Sequence, residues 1–135
     1  MRGLGIDAVD ISRFRAALER TPSLRSRLFT HDELQSLSAK ADQVSSLAAR
    51  FAVREAAMKA LGVGLGAFDL HDVSVAKLSS GQPTLRVTGR AEQLAKSKGV
   101  TSWQVSISHT EKSRNTFCRN LGFLQHIIRI VSRRS

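Results

Sequence analysis

Glu55 and Lys59 lie one helical turn apart inside residues 50–62, RFAVREAAMKALG. Set on a helix at about 100° per residue, Leu61, Met58, Phe51, Ala48 and Ala52 share one apolar arc. Glu55 falls near the middle of that arc, between Phe51 and Ala48, and Lys59 lies inside it one turn on. A carboxylate on such a face costs roughly several kcal/mol unless it is paired, protonated or bound to a metal. Two readings follow. Either Glu55 and Lys59 form an i,i+4 pair worth about 0.2–0.5 kcal/mol, or carboxylate and ammonium face a ligand together. A second acid, Asp7, interrupts the apolar run RGLGIDAV. A lone aspartate in a strand marks a turn or an edge; beside a second buried carboxylate it becomes a metal-ligand candidate. His109 follows Ser106 and Ser108 at the end of an alternating run, a position that serves either the fold or a phosphate contact.

Bringing these residues together takes an opening strand, a central helix and a later strand. Residues 2–9 read as the opening strand, apolar and bounded by glycine. Asp10 caps the next helix, whose Ile11, Phe14 and Leu18 recur at helical spacing. Arg13 and Arg15 sit near its start, where the helix dipole disfavours cations, so they are either solvated or placed for an anionic neighbour. Thr21-Pro22 breaks the chain ahead of a short helix through Leu28. Thr30 and Glu33 have the spacing of a capping box, predicting a helix of about two turns with Leu34 and Leu37 inward and His31 in solvent. The central helix is expected from about Gln43 to Leu61, stopped by Gly62. The glycine-rich segment 62–66 follows a helix, so it is neither a P-loop nor a dinucleotide fingerprint, both of which precede one. It is a flexible connection or a place where backbone approaches a ligand. From Asp72 the period changes to two. Val73 and Val75, then Leu85 and Val87 beyond the turn at 79–83, predict a hairpin. A short helix over 90–98 follows. Trp103, Val105 and Ile107 then alternate in a strand ending at His109-Thr110. The fold class is α+β: an opening strand, a helical half and a strand-rich half.

A chain of 135 residues is expected to form one domain with a real core. Its single cysteine, Cys118, excludes an internal disulfide framework and a clustered zinc site and points to a reducing compartment. No signal peptide is read at the N-terminus and no segment is long and apolar enough to span a bilayer. The net charge is +10, but residues 112–135 hold six basic groups and no acid, leaving 15 basic and 11 acidic groups in the first 111. A mildly basic body suits an acidic or phosphate-rich partner. With no tyrosine and one tryptophan, the chain is poorly equipped to stack bases, and no nucleic acid partner is expected.

The motifs also form an ordered set. Gly5-Ile6-Asp7 with Val9 and Arg13 comes first, then Phe29-Thr30 with Glu33. Arg50-Phe51-Ala52 with Glu55-Ala56 and Lys59-Ala60-Leu61-Gly62 follows, then Gly81 with Pro83, then Ser106-Ile107-Ser108-His109-Thr110. Together they resemble the holo-acyl-carrier-protein synthase family of 4′-phosphopantetheinyl transferases over residues 1 to about 111. The resemblance implies an α+β fold with a small antiparallel sheet packed around the long central helix. It implies transfer of 4′-phosphopantetheine from coenzyme A to a serine of apo-acyl carrier protein, releasing adenosine 3′,5′-bisphosphate. It implies a cytoplasmic, Mg²⁺-dependent enzyme of fatty acid biosynthesis, a homotrimer with active sites between subunits. By motif match, Asp7 and Glu55 are the metal ligands and Glu55 and Lys59 the catalytic residues. Arg50, Lys59, Gly62, Ser108, His109 and Thr110 meet coenzyme A, and Arg13 helps to dock the acidic carrier protein. The chemistry agrees, because Mg²⁺ is commonly held by one or two carboxylates with waters and substrate phosphates.

Two positions depart from the family pattern. Arg54 stands where a lysine is usual, at the edge of the apolar arc. After the SISHT stretch the family closes its sheet with a short apolar strand, whereas this chain continues KSRNTFCRNLGFLQHIIRIVSRRS. Thr116-Phe117-Cys118 is a remnant candidate for that strand, and losing it would leave an open edge. One explanation of residues 112–135 is an altered reading frame near codon 112, giving an unselected basic tail. The other is an amphipathic, basic helix over 121–132 that caps the core, joins subunits or lies on a membrane surface. The alternative to the enzyme is a non-catalytic basic module binding an acidic protein, RNA or a membrane.

Overall fold

The computed structural model describes residues 2–109 and 126–134. The elements run β1 (Arg2–Val9), α1 (Ile11–Arg20), α2 (Leu24–Leu28), α3 (His31–Ser36), α4 (Gln43–Leu61), β2 (Val73–Lys77), β3 (Pro83–Val87), α5 (Gly89–Ser97), β4 (Val100–His109) and β5 (His126–Arg134). Local signals set most of these bounds. Asp10 Oδ1 accepts the Arg13 N–H at 3.2 Å and starts α1. Thr30 and Glu33 complete the expected capping box of α3. Asp42 caps α4, and Gly62 stops it at φ 71°, in the left-handed region that glycine enters without strain.

α4 is the axis of the molecule, with β1, β5, α1 and β2 packed around it. Its burial is wider than one arc. Ala49, Val53, Ala56, Ala57 and Ala60 are buried along with Ala48, Ala52, Met58 and Leu61. Neighbours on several sides, met by a run of alanines, explain the difference: small side chains let strand backbone come close. Gly5 of β1 shows how close, since a Cβ there would lie 1.7 Å from the Ala56 carbonyl oxygen. Phe14 of α1 stacks on Phe51 of α4 at 5.6 Å and meets Phe29 edge-on at 6.3 Å, tying the helical half to the same core.

The described residues form two antiparallel sheets, the hairpin β2-β3 and a three-stranded sheet ordered β1-β5-β4. β5 corrects the expectation of a helix over 121–132. Its residues 126–134 form the central strand, pairing Asp7 with Ile128 on one side and Ile107 with Ile128 on the other. The physical reason is twofold. Ile127, Ile128, Ile130 and Val131 are β-branched and suit a strand. A helix there would leave the ladders of both β1 and β4 unpaired. The closing strand is therefore present, supplied late in the chain, and residues 126–134 are part of the body rather than a tail. The remnant candidate Thr116-Phe117-Cys118, residues 121–125 of the expected helix, and Thr110 lie outside the described residues.

Candidate active site

The acid pair is assembled by one contact, β1 on α4. Gly5 lets the strand lie against Ala56 and Ala60, and the next alternate residue, Asp7, then meets Glu55 and Lys59. Lys59 Nζ donates to Asp7 Oδ1 at 2.8 Å and to the Ile6 carbonyl oxygen at 3.1 Å. The Asp7 side chain is 11% exposed and that of Lys59 55%. The site is thus half-sheltered, with the ammonium at its wet edge. The simple i,i+4 reading of Glu55 and Lys59 does not hold, because the lysine bonds across to the strand.

Glu55 is left facing Asp7. Burial, a hydrogen bond to Asp7 and repulsion by its charge push the Glu55 carboxyl up to about 7, against the opposing pull of Lys59. The Lys59 ammonium is held above its ordinary range, chiefly by its hydrogen bond to Asp7. Two carboxylates that cannot comfortably both ionise at neutral pH share either a proton or a cation.

The remaining described residues of the expected site fall in four places. Gly62 ends α4 one turn beyond Lys59, its N–H bonded to the Lys59 carbonyl at 3.1 Å. Ser108 and His109 close β4, where the register sets Ser108 across Ile127 from Ala8 and His109 across His126 from Val9. They therefore share the sheet end that carries Asp7. Arg13 is exposed on α1.

Arg50 is elsewhere. It lies five residues before Glu55, about 140° round the helix, and is 7% exposed. It lines a cavity of about 530 Å³ whose wall also carries Lys40, Lys77, Arg86 and His71. Burial and the nearby charges of Lys77 and Arg50 push the Lys40 ammonium down, as expected where cations crowd together. This flank suits an anion. Beside it lies a feature that the sequence did not disclose. Arg54, placed by the helical wheel at the edge of the apolar arc, is fully buried. It donates to both oxygens of Glu33 and to the Leu70 carbonyl, and its guanidinium lies 5.0 Å from the centre of the Phe29 ring. Nothing local in the sequence links Glu33 to Arg54, 21 residues on. The one available signal was an arginine inside a run of buried alanines.

Comparisons with known proteins give a consistent result. A family model described as the 4′-phosphopantetheinyl transferase superfamily matches residues 3–118. A holo-[acyl-carrier-protein] synthase of Streptomyces avermitilis is 50% identical over 107 residues, 79% of this chain and 86% of that protein. One from Micrococcus luteus is 44% identical over 108 residues, 79% of this chain and 81% of that protein. Among solved structures, the synthase of Neisseria meningitidis superposes with a TM-score of 0.81 at 22% identity, covering 98% of each chain. A coenzyme A complex of the Chronobacterium ammoniagenes enzyme superposes at 0.80 with 21% identity, covering 100% of this chain and 98% of the other.

Proposed function

The chain belongs to the 4′-phosphopantetheinyl transferase superfamily, and we propose that Asp7, Glu55 and Lys59 carry that family's reaction in it. It transfers the 4′-phosphopantetheine group of coenzyme A to a serine of apo-acyl carrier protein, giving holo-acyl carrier protein and adenosine 3′,5′-bisphosphate. The observation that carries the residue assignment is the carboxylate pair, one acid from β1 and one from α4, with a lysine bonded to it.

Asp7 and Glu55 fit Mg²⁺. Their oxygens are hard donors, and no group of three or more His, Cys, Asp or Glu among the described residues offers a complete cage. Two carboxylates leave places for water and substrate phosphate, as Mg²⁺ prefers. The raised Glu55 carboxyl also shows that the pair is costly as a bare dianion. When bound, Mg²⁺ supplies neutralisation of the charge that builds on the diphosphate. Lys59 brings its own charge to the same edge and fixes Asp7 by a hydrogen bond. In the transfer, the serine oxygen bonds to the phosphorus that carries pantetheine and the bond from that phosphorus to the adenosine 5′-phosphate oxygen breaks. Glu55, ionised when the cation is bound, is also the group we assign to take the serine proton.

Arg50, Gly62, Ser108, His109 and Thr110 are assigned to coenzyme contacts and Arg13 to the acidic surface of the carrier protein. Arg50 stands on a different flank of α4 from Glu55 and Lys59, which supports sites shared between subunits of a homotrimer: one coenzyme would meet the acid pair of one copy and the cationic flank of another. Leu4 and Ile6, each 50% exposed on β1, supply apolar surface for such an assembly. We assign the reaction to the cytoplasm and to fatty acid biosynthesis. No described helix is long and apolar enough to cross a membrane.

The test is the intact mass of an apo-acyl carrier protein after incubation with this chain, coenzyme A and Mg²⁺. A gain of one phosphopantetheine, lost with EDTA and lost for Glu55→Ala, is expected. A gain that survives Glu55→Ala unchanged removes Glu55 from the site.

A further inference from the structure

Glu33 is 3% exposed and lies between two arginines of α4. Its Oε1 accepts Arg54 Nη2, the Thr30 N–H at 3.0 Å and the Thr30 hydroxyl at 3.2 Å. Its Oε2 accepts Arg54 Nη1 at 3.1 Å and the Val75 N–H at 3.4 Å, and it lies 3.9 Å from Arg50 Nη1. Arg50 Nη1 in turn donates to the Val75 carbonyl at 3.5 Å. Glu33 and Arg50 are thus both tied to one residue of β2, on the wall of the cationic cavity. Arg54 spends two of its donors on Glu33 and others on the carbonyls of Leu70 and Arg50, and no side of it is exposed. Among the described residues Arg50 makes one long ion pair and donates one long hydrogen bond, which leaves donors for a ligand.

We propose that Glu33 is a positioning residue for coenzyme A: it holds Arg50 against Val75 at the cavity wall, and Arg54 locks Glu33 in the orientation that does so. The proposal rests on the reading of Arg50 as a phosphate contact. Burial raises the Glu33 carboxyl, but the hydrogen bonds and charge of Arg54 outweigh it and leave the group below its ordinary range, so Glu33 is a fixed negative charge at working pH. Burial likewise lowers the Arg50 guanidinium, and Glu33 opposes this. An arginine fixed in place before the ligand arrives loses less freedom on binding than one that must be ordered by it. A carboxylate bound on every side also presents little free negative charge to a phosphate entering the cavity.

The experiment is calorimetric binding of coenzyme A to the full chain, with folding of each variant checked by circular dichroism and melting. Arg50→Ala is expected to weaken binding roughly tenfold, the loss of one charge-assisted contact. Glu33→Gln is expected to weaken it about fivefold, and the double variant no more than Arg50→Ala alone. With wild-type Mg²⁺ affinity retained, this pattern separates positioning from a general loss of structure. If Glu33→Gln does not fold, Glu33→Gln with Arg54→Gln removes one buried charge of each sign and carries the same expectation. Wild-type affinity in a folded Glu33→Gln, beside a weakened Arg50→Ala, overturns the positioning role and leaves the Arg50 contact standing. Losses that multiply in the double variant overturn it as well. Unchanged affinity in Arg50→Ala overturns the phosphate contact itself, and the positioning role falls with it.

Discussion

Glu55 is a carboxylic acid whose surroundings oppose its charge. Burial and Asp7 raise it to about 7 from an ordinary value of 4.5. In the metal-free chain the native state therefore keeps a proton that the unfolded state gives up above about pH 4.5. Stability from this group falls as pH rises from about 4.5 to about 7 and is level above that. Replacing Glu55 by glutamine removes the dependence. Metal-free Glu55→Gln should melt close to wild type at pH 5 and several degrees above it at pH 8; a constant gap across that range would count against the shift. Mg²⁺, bound as proposed, would reverse the logic, because the cation would displace the proton. Its apparent affinity should rise about tenfold per pH unit up to about 7 and then level off, as read by calorimetry at fixed ionic strength. That a carboxylate sits on a buried face was legible from the spacing of Glu55 among Phe51, Met58 and Leu61. Its partner Asp7 was implied by the motif match and by no local pattern. The wheel offered Lys59, but the lysine reaches Asp7 instead, and only the approach of β1 shows it.

At the level of elements, the site depends on how near β1 lies to α4. Gly5 is the contact that sets this distance, with the Ala56 carbonyl oxygen 1.7 Å from where a Cβ would be. Backbone cannot yield as a flexible side chain can. Gly5→Ala should cost about 2–3 kcal/mol by overpacking and should weaken Mg²⁺ binding by moving Asp7 from Glu55. Gly64→Ala, with nothing within 4 Å of the added carbon, is the control and should melt like wild type. Denaturant unfolding of both variants checks the contrast. The bounds of α4 were readable because apolar period and a terminal glycine agree locally. The burial of Arg54 was not readable, since it needs Phe29 and Glu33 from one segment and Leu70 from another brought against it.

Across the whole molecule, β5 joins the first strand to the last of the compact body. A chain ending near Lys112 would leave β1 and β4 without their common partner. Such a truncation should lose cooperative unfolding and transferase activity together; a truncated chain that melts sharply and stays active would show β5 to be dispensable. The outer surface of β1 makes a separate prediction. Leu4 and Ile6 are half exposed, and a charge there disfavours burial in an assembly. On the proposed homotrimer, in which the acid pair and the cationic flank belong to different copies, Ile6→Asp should lower the native mass below that of a trimer and reduce coenzyme binding. Light scattering and calorimetry on one preparation check both.

Patterns within about ten residues were complete in the sequence: the caps at Asp10 and Thr30, the helix ended by Gly62, the alternation of Val73 and Val75. Hydrogen bonding and burial over such distances depend on neighbours that the chain itself supplies in order. The ordered motifs also carried the resemblance to the family, which the family model matching residues 3–118 bears out. The apolar run 127–131 misled, since a short apolar segment fits helix and strand alike until a partner exists. The open ladders of β1 and β4 decide that it is a strand. The pairing of Asp7 with Glu55 and the clamp of Arg54 on Glu33 were likewise settled by packing. Both join residues more than twenty positions apart, and no local rule can favour one distant partner over another before the core closes.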